Sequence, residues 1–292
     1  MFHRRLQVAC LLAMLAACAG CPTQQTAPTP TDVARPTVMP TYAELAAKHN
    51  ERVKDIDKLW ARTVLEVRWK DEKGSSRLEQ GEGHLILMPP NKCAMTLGKV
   101  GQIKLWAGSN DTHLWLFDEI DGKKVYLGRH DGKSDPIPNG APVQPAPFPV
   151  RPVDMARLLG ILTLPPAPAD PNKAPPVEWR EGRYVVEPAD QSLRYYFNIH
   201  YRIDRVEMLD HLNRPMLVAK MTGETLRMEI ENKAIGPYIS TRIEVTTPGK
   251  EGSMTLHIYD ATNAERKFDP GVFDLDARLK SHKPEKTIYI RQ

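Results

Sequence analysis

The chain has 292 residues, 41% of them hydrophobic and 26% charged, with a formal net charge of +4. Its 40 Lys and Arg against 36 Asp and Glu leave no basic surplus of the kind that nucleic-acid binding requires. The length suits one large domain or two small ones, and no internal repeat is visible.

The chain opens on the basic stretch MFHRR, and the run from Leu6 to Ala17 is apolar apart from Gln7. A membrane-spanning helix needs about 20 such residues, so this stretch reads as a secretory signal peptide ending in small residues. Leu15-Ala16-Ala17-Cys18 resembles the lipobox of bacterial lipoproteins: Leu, two small residues, then Cys. The resemblance implies that the Cys18 thiol takes a diacylglycerol, that residues 1–17 are cut away and that the new amine is acylated. Cys21 is the alternative lipidation site, a poorer match because Leu is expected three residues before it. The partner so implied is membrane lipid, reached through an N-terminal acyl anchor. Ala19, rather than Asp, follows the cysteine, which favours the outer membrane facing the periplasm under the sorting rule of well-studied diderm bacteria. Loss of Arg4 and Arg5 with the signal leaves the charge still close to balanced.

Four cysteines are present: Cys10, Cys18, Cys21 and Cys93. No CxxC pair falls in the folded region, so neither a zinc nor a redox centre is expected there. Cys93 is expected to be a small buried apolar residue. The segment PTQQTAPTPTDVARPTVMPT, residues 22–41, is rich in Pro and Thr and reads as an extended leash. The expected organisation is therefore a signal over 1–17, a lipidated tether over 18–41 and a folded domain over 42–292.

Thr41-Tyr42-Ala43-Glu44 has the form of a capping box. Leu45, Val53, Ile56, Leu59 and Trp60 then follow at roughly helical spacing, which predicts an amphipathic helix from about 42 to 60. Beyond it the period changes to two. Leu65, Val67 and Trp69 alternate with Glu66, Arg68 and Lys70. Leu193, Tyr195, Phe197, Ile199 and Tyr201 share one face, as do Leu226, Met228 and Ile230, and Met254, Leu256 and Ile258. Further strands are predicted at 82–88, 93–98, 102–107, 112–118, 123–130, 203–210, 214–222 and 239–247. Asp121-Gly122 and Asn213 mark hairpin turns. Short gaps without intervening helices argue for an antiparallel meander. Two Pro-rich loops, 135–152 and 165–176, flank a short predicted helix in VDMARLLGILTL.

The pattern thus predicts a mainly β (α+β) fold, one large curled antiparallel sheet or unclosed β-barrel of about eleven strands. A sheet this wide encloses more space than its own side chains fill, and the two helices are available to cover the opening. A helix leading into GEGHLILMPPNKCAMTLGKVGQIKLWAGSNDTHLWLFD resembles the LolA/LolB superfamily of periplasmic lipoprotein carriers. The shared features are a Gly-bearing strand, a Pro-Pro turn, a Lys before the next strand and a strand ending in WLFD. The resemblance implies an unclosed barrel curled around a hydrophobic cavity with a helical lid, the cavity taking acyl chains of lipids or lipoproteins. Trp60, Trp69, Trp106, Trp115, Phe197 and Met228 are the candidate cavity residues.

No catalytic residues are expected. Gly81-Glu82-Gly83 lacks the third glycine and the following helix of a dinucleotide loop, and reads as a bulge or a close strand approach. There is no GxSxG elbow and no HExxH, and the acidic run at Asp118, Glu119 and Asp121 lacks the spacing of an EF-hand. His84, His113, His130, His200 and His257 are scattered over separate strands, so no metal and no cofactor are expected. Two functions remain: a membrane-anchored binder of acyl chains, carrier or acceptor, and a non-catalytic interaction module of the envelope with the same fold and no ligand.

Overall fold

The computed structural model describes residues 34–70, 75–99, 101–120, 122–131, 137–138, 140–144, 150–189, 192–249 and 252–290. The lipobox with Cys18 and Cys21, most of the tether and part of the first Pro-rich loop lie outside the described residues. Arg35–Gln292 forms one compact unit. Among the described residues, no helix is long and apolar enough to cross a membrane.

The first helix, α1 (Tyr42–Val53), starts where the capping box places it: Glu44 N donates to Thr41 Oγ1 at 3.2 Å and Thr41 N to Glu44 Oε2 at 2.7 Å. It ends well before residue 60. Leu59 and Trp60 are apolar at helical spacing, but the chain turns at Lys54 and both residues belong to the first strand. Tyr42, Leu45, Ala46, His49 and Val53 make the buried stripe.

A first meander follows: β1 (Leu59–Lys70), β2 (Ser76–Met88), β3 (Lys92–Lys99), β4 (Gln102–Ser109), β5 (His113–Asp118) and β6 (Lys124–Arg129). After a two-residue strand, β7 (Val143–Gln144), the chain crosses through a 3-10 turn at Pro152–Asp154 and a one-turn helix, α2 (Met155–Leu158). A second meander comprises β8 (Glu178–Arg180), β9 (Arg183–Val186), β10 (Leu193–Phe197), β11 (Ile203–Leu209) and β12 (Pro215–Met221). A separate ribbon, β13 (Thr225–Arg227) and β14 (Tyr238–Ser240), precedes β15 (Arg242–Thr246) and β16 (Ser253–Thr262). Helix α3 (Leu275–His282) and strand β17 (Lys286–Ile290) complete the described chain.

Among the described residues, fifteen strands form one sheet in the order β7-β17-β6-β5-β4-β3-β2-β1-β16-β15-β12-β11-β10-β9-β8. The edges β7 and β8 do not pair, so the sheet is unclosed. Pairing is antiparallel except for β17, which runs parallel to β6 and β7. The number exceeds the expected eleven because β7, β8 and β9 are too short to show alternation, and β17 pairs far from its sequence neighbours. The predicted strand through Tyr201 ends at Phe197. Asn198 caps a turn by accepting from His200 N and Arg202 N, and Ile199 is exposed. Asn213 and Gly122 take positive φ in their turns, as expected.

The glycines of β2 mark a tight bend. A Cβ on Gly83 would sit 1.9 Å from the Thr96 carbonyl oxygen, and one on Gly81 2.4 Å from that of Gly98. Only glycine allows β2 and β3 to cross this closely, which curls the sheet. One face becomes concave. Leu97 and Leu116 from one wing and Tyr195 and Val206 from the other meet there in a single core with α1 and α2. Cys93 is buried in that core, and burial pushes its thiol far above the usual range.

Candidate functional site

The concave face is lined by apolar side chains and closed by two cover pieces: α1 and the segment 150–165 that contains α2. Five methionines, Met95, Met155, Met208, Met228 and Met254, belong to this interior. Unbranched thioethers rearrange at low cost, so such a lining adapts to a guest more readily than one of β-branched residues.

The two cover pieces are latched to one another. Tyr42 Oη donates to Pro165 O at 2.7 Å. Asn50 bonds Leu164 twice, donating from Nδ2 to its carbonyl at 2.9 Å and accepting its N–H at 2.7 Å. His49 Nε2 donates to Leu162 O at 2.7 Å, while its Nδ1 accepts from Arg52 Nη2 at 2.8 Å. These partners require neutral imidazole. Burial, aided by the Arg52 charge, holds His49 down at about 4. Arg52 Nη1 also reaches Tyr201 O at 3.1 Å, and Lys48 lies over the Tyr201 ring, so the latch ends on the β10–β11 turn. Burial and the nearby Arg202 lower Arg52 to about 10, which leaves it charged at neutral pH.

A void enclosed by Leu59, Leu159, Ile161, Ile239, Ile243 and Ile258 measures about 10 Å³, room for about one water at most. Larger spaces open at two places. A cleft of about 750 Å³ lies where the 150–165 cover meets the turn end of the sheet, between Pro90, Asp111, His130, Arg151, Arg157 and Leu193. A groove of about 820 Å³ runs along the convex face past Trp60, His84, Ile86, Trp106 and Val272. Among the described residues, no three His, Cys, Asp or Glu side chains converge as a metal site would need.

With this geometry in view, comparison with known proteins gives likenesses of fold. No family model matches the chain, and no curated protein matches it. Among solved structures it is similar to a DUF1329 family protein from Desulfovibrio piger, at 10% identity over 81% of this chain and 97% of that one, with a TM-score of 0.49. It is also similar to a LolA superfamily protein from Nitrosomonas europaea, at 13% identity over 82% of this chain and 99% of that one, TM-score 0.46. A third match is a domain from Vibrio parahaemolyticus proposed as an outer membrane lipoprotein-sorting protein, at 13% identity over 80% of this chain and 96% of that one, TM-score 0.46. At such identities and scores none of them carries a function across to this chain.

Of the six candidate cavity residues, the five whose side chains are described divide between two faces of the sheet. Phe197 and Met228 are fully buried in the interior under the cover. Trp60, Trp106 and Trp115 project from the other face. Trp60 and Trp106 line the convex groove, where Trp60 packs on His84 and under Lys267, and Trp106 lies under Arg278. Trp115 is sealed with Phe117 and Val125 beneath Leu275 and Leu279 of α3. The Trp69 side chain lies outside the described residues, as do Cys18 and Cys21. The latch residues His49, Asn50 and Arg52 were not singled out from sequence. A signal was there: His49 falls in the apolar stripe of α1, and Asn50 is a poor helix former one turn from its end.

Proposed function

We propose that this chain is a non-catalytic, lipid-anchored protein of the cell envelope that takes the acyl chains of lipids or lipoproteins between its curled sheet and its cover. Cys18 is the proposed lipidation site, and Ala19 after it favours the outer membrane, facing the periplasm. The observation that carries the reading is the latched cover over a methionine-rich apolar face. The cover pieces hold each other through side-chain-to-backbone hydrogen bonds and meet the interior through apolar contact, so they can part without stranding polar groups inside the sheet.

Magnitudes set a threshold for the guest. Four latch bonds at about 0.5–1.5 kcal/mol each amount to roughly 2–6 kcal/mol. Burying one methylene contributes about 0.8 kcal/mol. A chain of about three to eight methylenes therefore offsets the latch, and still shorter ones do not. The test is native mass spectrometry of the chain from residue 18 onward, carrying Cys18→Ser and purified without detergent, with organic extraction of whatever is bound. Near-stoichiometric acyl lipid, or uptake of added long-chain but not short-chain fatty acid, is the expected result. A clean mass with no uptake at any length would overturn the reading.

The small internal void favours a second reading, in which the sheet is filled permanently by its own side chains and the protein is a tethered interaction module. The same measurement separates the two.

A further inference from the structure

The cleft of about 750 Å³ at the seam of the cover differs in character from the convex groove. Its floor is made of Leu162, Leu193 and Met208, residues that also belong to or pack against the interior core. Its wall on the cover side carries Arg151 and Arg157, and the turn end of the sheet supplies His130, Asp131 and Asp111. The cleft is therefore polar at its rim and continuous at its base with the apolar interior. That is the shape of a mouth for an amphiphile.

The charges at the rim do not cancel. Asp131 is paired with Arg129, and Asp111 with Lys92. Asp154, nearly fully buried, accepts both arms of Arg151, from Nε at 2.6 Å and Nη2 at 3.1 Å. One carboxylate thus stands against two guanidinium groups. Arg157 reaches Asp154 only at 3.8 Å and spends one N–H on Val153 O at 3.2 Å. Among the described residues, its other donors have no partner, and about a third of its side chain is open to solvent. Arg157 is the surplus cation of the rim, and a guanidinium fork suits a planar or tetrahedral oxyanion.

We infer that this cleft is the mouth of the interior and that Arg157, braced by the Arg151–Asp154 pair, holds an anionic headgroup, carboxylate or phosphate, while the attached acyl chain passes over Leu193 and Met208 into the core. The inference rests on the acyl-chain reading above and adds the ligand class: anionic amphiphiles in preference to neutral ones. Arg157 lies on α2, so an occupied headgroup site would also tie the ligand to the cover piece that must move.

The test compares dodecanoate with dodecanol on the chain from residue 18 onward carrying Cys18→Ser, with inorganic phosphate as a third probe. The expected result is about tenfold tighter binding of dodecanoate than of dodecanol, the effect of one charge-assisted contact. In Arg157→Gln this preference falls to about one, and in Arg157→Lys it is partly kept. Arg62→Gln, on the convex face, leaves the preference in place. Circular dichroism melting of each variant reports folding separately. Equal binding of both probes, or a preference that survives Arg157→Gln, overturns the headgroup site and leaves the acyl-chain reading standing. Binding of neither overturns both. Saturable binding of phosphate alone, without either amphiphile, marks a site for free anions and also overturns the inference.

Discussion

The two faces of the sheet are built from the same alternation yet solve different problems. The concave face brings both wings together, encloses a void of about 10 Å³ and is shut by a hydrogen-bonded latch. The convex face is covered only in part. Helix α3 and the turn before it seat on Trp115, Phe117 and Ala94, while the strip from Trp60 to Trp106 stays open as a groove. On the other wing the convex face carries charge instead: Glu207, almost fully buried, accepts from Arg194 and Arg205 and from Tyr196 Oη. The difference teaches that apolar alternation marks which residues share a face. It does not mark which face encloses space.

Truncation on the two faces separates them most strongly. Phe197→Ala, in the interior, should cost about 3–5 kcal/mol of unfolding free energy in urea titration. Trp60→Ala, whose ring rests on exposed partners, should cost about 1 kcal/mol. Equal losses would mean that the convex groove is as structural as the core.

Acid should act more strongly on the concave face than on the convex one, where burial and the charges of Lys267 and Arg62 also hold His84 below its usual value. An unfolded His49 takes a proton near 6.5, whereas the buried imidazole stays neutral down to about 4. The unfolded state therefore binds the extra proton between these values. Stability is full above pH 6.5, falls as the pH drops and levels off near 4, a loss of about 3 kcal/mol. His49→Gln should flatten this slope in urea midpoints measured across the window. Protonation also sets Nδ1–H against the Arg52 guanidinium, so amide exchange at Leu164 should quicken over the same range while that of β5 does not. A smaller effect than that of His49 is expected for Asn50→Ala. It removes both bonds to Leu164 and should cost about 2 kcal/mol, read as faster exchange confined to the 162–165 segment. Loss of protection spread evenly over both faces would deny that the cover opens as a unit.

Much of this architecture was legible in the chain. The capping box at Thr41 sets the start of α1, alternation located the long strands, and Gly81 and Gly83 do mark a close strand approach. The end of α1 was not legible, because Ile56, Leu59 and Trp60 continue the apolar spacing of the helix into β1. Nor were the three strands of two to four residues, whose pairing is supplied by neighbours rather than by their own pattern. The face occupied by Trp60, Trp106 and Trp115 depends on the direction in which the sheet curls. Glycine positions and cover placement fix that direction in three dimensions, and residue type does not report it.

The seating of β17 also orders assembly in time. Lys286 pairs with Lys124, so β6 waits for a partner made long after it, and β1 likewise waits for β16. A chain made N-terminus first holds these strand edges unpaired until its last strands are complete. Such edges are templates for pairing with other chains. Shielding the first meander until the last strand has been made would therefore limit such pairing.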